Sequence, residues 1–226
     1  MFGRTPVASV ARHWKNAMDD LRLILVDPKP ALCIAFQKHF DGLPNVEVVT
    51  GYFEQLPKFD CMVSAANSFG LMDGGVDAAI QRFFGYALVE RVQHRILEEY
   101  LGEQPVGTSL IVETAHPKHP FIAHTPTMRV PLPIAHTDSV YLAMWAMLLA
   151  VRQHNRHAER HIHIIACPGL GTATGQVPYP EAARQMSIAY RNFLHPPLSI
   201  NWEFAQSRQE EIRFGGDMGL VIPPES

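Results

Sequence analysis

At 226 residues, the chain has the length of one domain with a core of its own rather than of two. Hydrophobic residues make up 47% and charged residues 18%, which excludes a disordered chain and favours a largely buried sheet. The net charge is −3 and no basic run stands out, so a nucleic-acid groove held by phosphate neutralisation is excluded and any phosphate must be held locally.

In chain order, the first 20 residues read as a helical extension preceding the domain. The apolar run from Leu21 to Val26, closed by Asp27 and Pro28, predicts a strand buried on both faces. A helix over Ala31 to Phe40 follows, then short strands at Val46 to Val49 and Asp60 to Ala65. Apolar residues from Val76 to Ile96 at helical spacing predict one helix reaching about Tyr100, with Gly85 a mild flaw in it. Strands are expected at Thr108 to Val112 and Phe121 to His124, around a turn rich in His and Pro, and a helix from Asp138 to Gln153 capped by Asp138 or Thr137. His161 to Cys167 reads as a strand and Glu181 to Phe193 as a helix. Beyond residue 196 the pattern suggests strands at Ser199 to Phe204 and Leu220 to Ile222, then a tail. The expected organisation is an extension (1–20), an α/β domain (21–195) and a C-terminal extension (196–226) packed on or trailing from it. Alternating strands and helices predict a three-layer α/β/α sandwich around a mostly parallel sheet, with its ligand site at the carboxyl ends of the strands.

Two segments fall where such a fold binds ligands. Ser64 to Asp77 contains Asn67, Gly70, Gly74 and Gly75, and Pro168 to Tyr179 contains Gly169, Gly171, Thr172, Thr174 and Gly175. Glycine lets backbone approach a ligand, and amides at a helix N-terminus attract phosphate, so two facing loops of this kind suit a diphosphate. Taken singly, either loop reads equally well as tight-turn geometry, Asn67 as a strand-end turn residue and Asp77 as a first-turn carboxylate satisfying helix amides.

Together the two segments resemble the macrodomains, modules that bind ADP-ribose. The resemblance rests on Ser64-Ala-Ala-Asn67, Asp73-Gly74-Gly75-Val76-Asp77 and Gly171-Thr172-Ala-Thr174-Gly175, in the family's order, and covers about residues 46 to 194. The ten residues from Asn67 to Asp77 match the hydrolytic, MacroD-like branch. The resemblance implies that Asn67 contacts the distal ribose and that Gly74, Gly75 and Val76, beside Ala66, wrap that ribose and a phosphate. It implies further that Gly171, Thr172, Ala173, Thr174 and Gly175 cradle the diphosphate, and that Asp77, one turn into its helix, orients or deprotonates the attacking water. A carboxylate also suits the oxocarbenium-like centre that forms when a bond to ribose breaks. On this basis Asn67 and Asp77 are the expected catalytic pair. Tyr52 and Phe53 are expected near the base, Tyr52 standing in place of the Asp in the family's Gly-Asp-Ile segment. Ser64 replaces the first Asn of Asn-Ala-Ala-Asn, Asp73 shortens the Gly-rich turn, and the second Gly-rich loop is longer than the family's. The implied partner is ADP-ribose or an ADP-ribosylated substrate, a nucleic acid being one only when it carries that modification. The implied activity is hydrolysis of an ADP-ribosyl bond; the alternative is a non-catalytic reader of ADP-ribose or of an NAD-derived signal.

Other chemistries fit less well. His154, His157, His161 and His163, and the pair His116 and His119, lack a Cys or carboxylate to complete a metal set and read as solvent-exposed, so neither metal nor cofactor is expected. Gly169, Gly171 and Gly175 have the wrong spacing and position for a dinucleotide fingerprint. Cys33, Cys61 and Cys167 read as core thiols of a reducing cytoplasm, and no apolar run approaches the length of a membrane span. Tyr52, Phe53, Phe69 and Tyr179 each read as core rather than as a stacking platform.

Overall fold

In the computed structural model, which describes residues 21–212, six strands form one sheet. They are β1 (Arg22–Asp27), β2 (Val46–Thr50), β3 (Cys61–Asn67), β4 (Leu110–Glu113), β5 (Phe121–Met128) and β6 (Ile164–Cys167), in the order β2-β1-β6-β3-β5-β4. Neighbours are parallel except β4 and β5, so five of the strands present their carboxyl ends at the same edge. The helices are α1 (Pro30–His39), α2 (Gly75–Phe84), α3 (Tyr86–Tyr100), α4 (Ser139–His157), α5 (Tyr179–Leu194) and α6 (Trp202–Ile212).

Alternation along the strands decides the layers. Leu23 and Leu25 of β1 point into a core shared with Leu32 and Phe36 of α1, Met144 and Leu148 of α4, and Met186 and Tyr190 of α5. Ile24 and Val26 point the other way, into a second core with Ile80 of α2 and Leu88, Val92 and Ile96 of α3. Both faces are covered, as a continuous apolar run requires, and the result is the three-layer α/β/α sandwich.

Two expectations are corrected. The helix from Val76 to Tyr100 is two helices, because Gly85 adopts φ +89 and ψ 161, which is neither helical nor open to an L side chain. Its N–H donates to the Gln81 carbonyl to end α2, and its carbonyl accepts from Leu88 N–H to start α3. Residues 199–204 do not form a strand: Asn201 Oδ1 accepts the Phe204 N–H at 2.8 Å, capping α6, which then docks on α5 through Arg184 to the Glu211 and Ile212 carbonyls. The Asp138 side chain makes no cap bond, whereas Thr137 Oγ1 accepts the Ser139 N–H at 3.3 Å. The expected helix before residue 21 and strand at Leu220 to Ile222 lie outside the described residues.

β4 is an edge strand. Thr114 N–H donates to the Pro120 carbonyl, so the alternate residues Leu110 and Val112 face β5, while the Ile111 and Glu113 carbonyls point off the sheet. Arg95 and Arg91 of α3 donate to those two carbonyls.

Candidate functional site

A cavity of about 460 Å³ opens at the carboxyl ends of the parallel strands. Val26 and Asp27 of β1, Gly51 after β2, Ala66 and Asn67 of β3, Met128 of β5 and Pro168 after β6 all line it. This is the crevice that an open α/β sheet offers, flanked by loops whose lengths the fold does not constrain.

Asn67 is placed by an irregularity in the sheet. The β3–β5 register, even through Ala66 opposite Pro126, slips so that Asn67 lies opposite Met128. The Asn67 side chain then ties the following loop: Oδ1 accepts the N–H groups of Phe69 (3.0 Å) and Leu71 (3.3 Å), and Nδ2 donates to the Leu71 carbonyl (2.8 Å). The turn role open to this residue is therefore the one it plays here, at the wall of the cavity.

Asp77 lies within the first turn of α2, two residues after the helix begins at Gly75 rather than a full turn in. Its carboxylate does not satisfy helix amides; Oδ1 accepts the Ser64 hydroxyl of β3 at 2.7 Å. Asp77 is 5% exposed and lines the cavity, while Ser64 is fully buried behind it. Burial pushes the Asp77 carboxyl up to about 6, the Ser64 hydroxyl opposes this, and the Asp73 carboxylate adds to it. Across the sheet from Ser64, in register, is His124 of β5. Its Nδ1 lies 2.6 Å from Gln104 Oε1 and must donate to it, since the Gln104 amide nitrogen is engaged with Thr108 and the His124 carbonyl. Nε2 is left buried without a partner, and burial pushes this imidazole down to about 3, so it stays neutral.

The glycine loops face one another across the cavity. Gly74, Gly75 and Val76 open α2, with Gly75 at φ +54. In the second loop Gly171 adopts φ +69, Val177 N–H donates to the Gly171 carbonyl, and Ile134 N–H to the Gly175 carbonyl. Among the described residues, the backbone amides of Gly74, Gly75 and Val76, and of Thr172 through Gly175, donate to no protein group. Asp27 clips the second loop to β1: Oδ2 accepts the Gly169 N–H (3.3 Å) and Oδ1 the Lys29 N–H (2.9 Å).

All thirteen predicted site residues, Tyr52, Phe53, Ala66, Asn67, Gly74, Gly75, Val76, Asp77, Gly171, Thr172, Ala173, Thr174 and Gly175, line this one cavity. Tyr52 is not core; it is 59% exposed at the mouth. Phe53 is both core and wall, packing edge-on against Phe59 and Phe83. Asp27, Lys29, Glu54, Asp73 and Arg82 also line the cavity and carry its other charges. Asp27 was legible as the end of a strand at the same sheet edge, whereas Arg82 on α2 gave no signal beyond its helix.

His119 is buried rather than solvent-exposed, and His116 beside it is partly exposed. Their rings stack at 4.9 Å, His119 lies 3.8 Å from the Phe59 ring, and its Nδ1 is 2.9 Å from the Phe59 carbonyl. Cys33, Cys61 and Cys167 are free and buried. No group of three His, Cys, Asp or Glu that could hold a metal occurs among the described residues, and no helix there is long and apolar enough to cross a membrane.

A three-layer sandwich with a mostly parallel sheet and a cavity walled by glycine loops at the strands' carboxyl ends is the class of fold the geometry defines, and comparison with known proteins narrows it. A sequence model described as Macro domain matches residues 63–186. An uncharacterised protein of Aquifex aeolicus is 33% identical over 150 residues, covering 66% of this chain and 82% of its own length. One from Aeropyrum pernix is 26% identical over 130 residues, covering 58% and 62%. Among solved structures, the macrodomain of Mycobacterium tuberculosis DarG aligns with a TM-score of 0.53 at 17% identity, covering 64% of this chain and 88% of that one. A macrodomain variant of Oceanobacillus iheyensis solved with ADPR aligns with 0.55 at 22%, covering 72% and 88%. The chain belongs to the Macro domain family.

Proposed function

We propose that the cavity binds ADP-ribose or a close derivative and that the protein hydrolyses an ADP-ribosyl bond. The observation that carries the reading is the pair of facing loops whose seven backbone amides are unused by the protein. Such amides, at a helix start and in a glycine turn, are donors matched to two linked phosphates. The ADPR carried by the Oceanobacillus iheyensis structure, on the same fold, supports the choice of ligand. In this reading Asn67, Gly74, Gly75 and Val76 hold the distal ribose and one phosphate, Gly171 to Gly175 hold the diphosphate, and Tyr52 and Phe53 border the base. The ten-residue spacing of Asn67 and Asp77 supports a place beside the hydrolytic branch.

For hydrolysis, the bond from the anomeric carbon to its acceptor breaks with its electron pair leaving on the acceptor, water oxygen bonds to that carbon, and the water proton passes to Asp77. With its carboxyl near 6, Asp77 is mostly ionised at neutral pH and able to take that proton. A low-polarity wall around a developing positive charge strengthens its effect. The buried free thiols favour a reducing, cytoplasmic setting.

One observation favours the second reading, a non-catalytic reader: the Asn67 amide and one Asp77 oxygen are already engaged within the protein. Calorimetry with ADP-ribose, followed by assay of ADP-ribose release from modified protein and nucleic acid, separates the two. Release that disappears in Asp77→Ala establishes the hydrolase. Tight binding with no release from any substrate establishes the reader, and no binding overturns both.

A further inference from the structure

Asp77 is held from the sheet by a single hydroxyl. At position 64 this chain has a serine, fully buried on β3, and the hydroxyl reaches Asp77 Oδ1 at 2.7 Å. A hydroxyl is a single donor that rotates to suit its acceptor, so it fixes one carboxylate oxygen while leaving the other face of the group toward the cavity that Asp77 lines. We propose that Ser64 is a positioning residue of the site, one that orients the Asp77 carboxylate and sets the pH above which it works as a base. The proposal rests on the reading of Asp77 as the residue that acts on the attacking water.

The groups around Asp77 leave this task to Ser64. On its own helix, Arg82 is exposed further along the same cavity. From the loop before α2, the Asp73 carboxylate opposes ionisation. From β5, His124 faces the same side of the sheet as Ser64, but its protonated Nδ1 is spent on Gln104 and its Nε2 carries no proton, so it offers Asp77 neither charge nor hydrogen bond. Burial raises the carboxyl above the ordinary aspartate range, Asp73 adds to this, and the hydrogen bond from Ser64 is the influence that lowers it. A carboxylate that accepts a hydrogen bond is stabilised in its charged form, so losing the bond raises the pH at which the proton leaves.

The test follows the Asp77 carboxyl carbon by NMR in isotope-labelled full-length protein as pH is raised, with Asp77→Asn to assign the signal. In Ser64→Ala the titration midpoint is expected to rise by about one pH unit, and in the nearly isosteric Ser64→Cys, a weak donor, by less. Ser64→Cys also serves should the alanine variant fail to fold. ADP-ribose release should fall by roughly half at about pH 7 and by more at about pH 6 in Ser64→Ala, and recover as pH rises past the new midpoint, with affinity for ADP-ribose changed by less than about threefold. A purely structural bond would lower rate or stability at every pH alike. A midpoint that stays at the wild-type value in both variants overturns the proposal, whether or not the wild type releases ADP-ribose. A raised midpoint in a protein that releases none confirms the role of Ser64 on Asp77 and overturns hydrolysis instead.

Discussion

A Cβ placed on Gly175 would stand 2.5 Å from the carbonyl oxygen of Gly171, and 2.8 Å from the Ile134 side chain. The second glycine loop thus folds back on itself so closely at Gly175 that no side chain fits there, and residues 172 to 175, whose amides have no protein acceptor among the described residues, line the cavity. Gly175→Ala must push Gly171 aside, and overpacking of this kind costs about 1–3 kcal/mol. The expected outcome is a lower melting temperature together with an ADP-ribose affinity reduced on the order of tenfold or more, measured by thermal unfolding and calorimetry. Unchanged affinity would remove this loop from the site.

Gly74 gives a cleaner probe of the ligand. Nothing lies within 4 Å of a Cβ built there, and its φ of −136 is ordinary extended backbone. Gly74→Ala should leave stability within about 0.5 kcal/mol, so a loss of ADP-ribose affinity on the order of tenfold would report ligand against backbone. Wild-type affinity would place the ligand elsewhere in the cavity.

Asp77 ties activity against stability. Its carboxyl, raised from 3.8 to about 6, binds a proton more tightly in the folded chain than in the unfolded one. The stability this contributes is complete below the ordinary aspartate value and is lost as pH rises through about 6. Asp77→Asn keeps an oxygen for the Ser64 hydroxyl and carries no charge. It should unfold at higher denaturant than wild type near pH 8, by up to about 3 kcal/mol, with the gap closing near pH 4. ADP-ribose release should fall on the order of a hundredfold or more. A variant no more stable than wild type near pH 8 would contradict the burial argument.

Asn67 is expected to act through its loop. Asn67→Ala leaves two amides and a carbonyl without their partner, at a cost of about 1–3 kcal/mol, and should weaken ADP-ribose binding as well as turnover. Asn67→Asp keeps the acceptor for Phe69 and Leu71 and should cost about half as much. Equal melting temperatures for the two variants would show that these bonds do not hold the loop.

Tyr52 stands exposed where the family pattern has an aspartate to accept the adenine amino group. A phenol is a poorer acceptor, so ADP-ribose and its inosine and guanosine counterparts should bind within about threefold of one another, and Tyr52→Asp should favour adenine. Strong adenine preference that survives Tyr52→Ala would place base recognition elsewhere.

What was legible in the sequence was whatever periodicity and ordered glycines record. The buried run at β1, the alternation of strands and helices, and the two loops at the sheet's carboxyl edge all follow from local pattern, and the cavity gathers the residues those loops contain. What was not legible is conformational or long-range. The apolar stripe from Val76 onward continues through Gly85 because packing on the sheet demands the same face on both sides of the break; only the positive φ divides it. Trp202 and Phe204 read as strand residues by type, although Asn201 ahead of Glu203 was an available capping signal. The bond from Ser64 to Asp77 joins residues on different elements, and in the sequence it showed only as a serine in the place of an asparagine.

The guanidinium groups of Arg91 and Arg95, laid over the outward carbonyls of β4, decide what the sheet can become. A further strand arriving from a second molecule would need those two acceptors, and would have to displace two charged donors to reach them. The helix that closes the second core thus also covers the outward acceptors of this sheet edge.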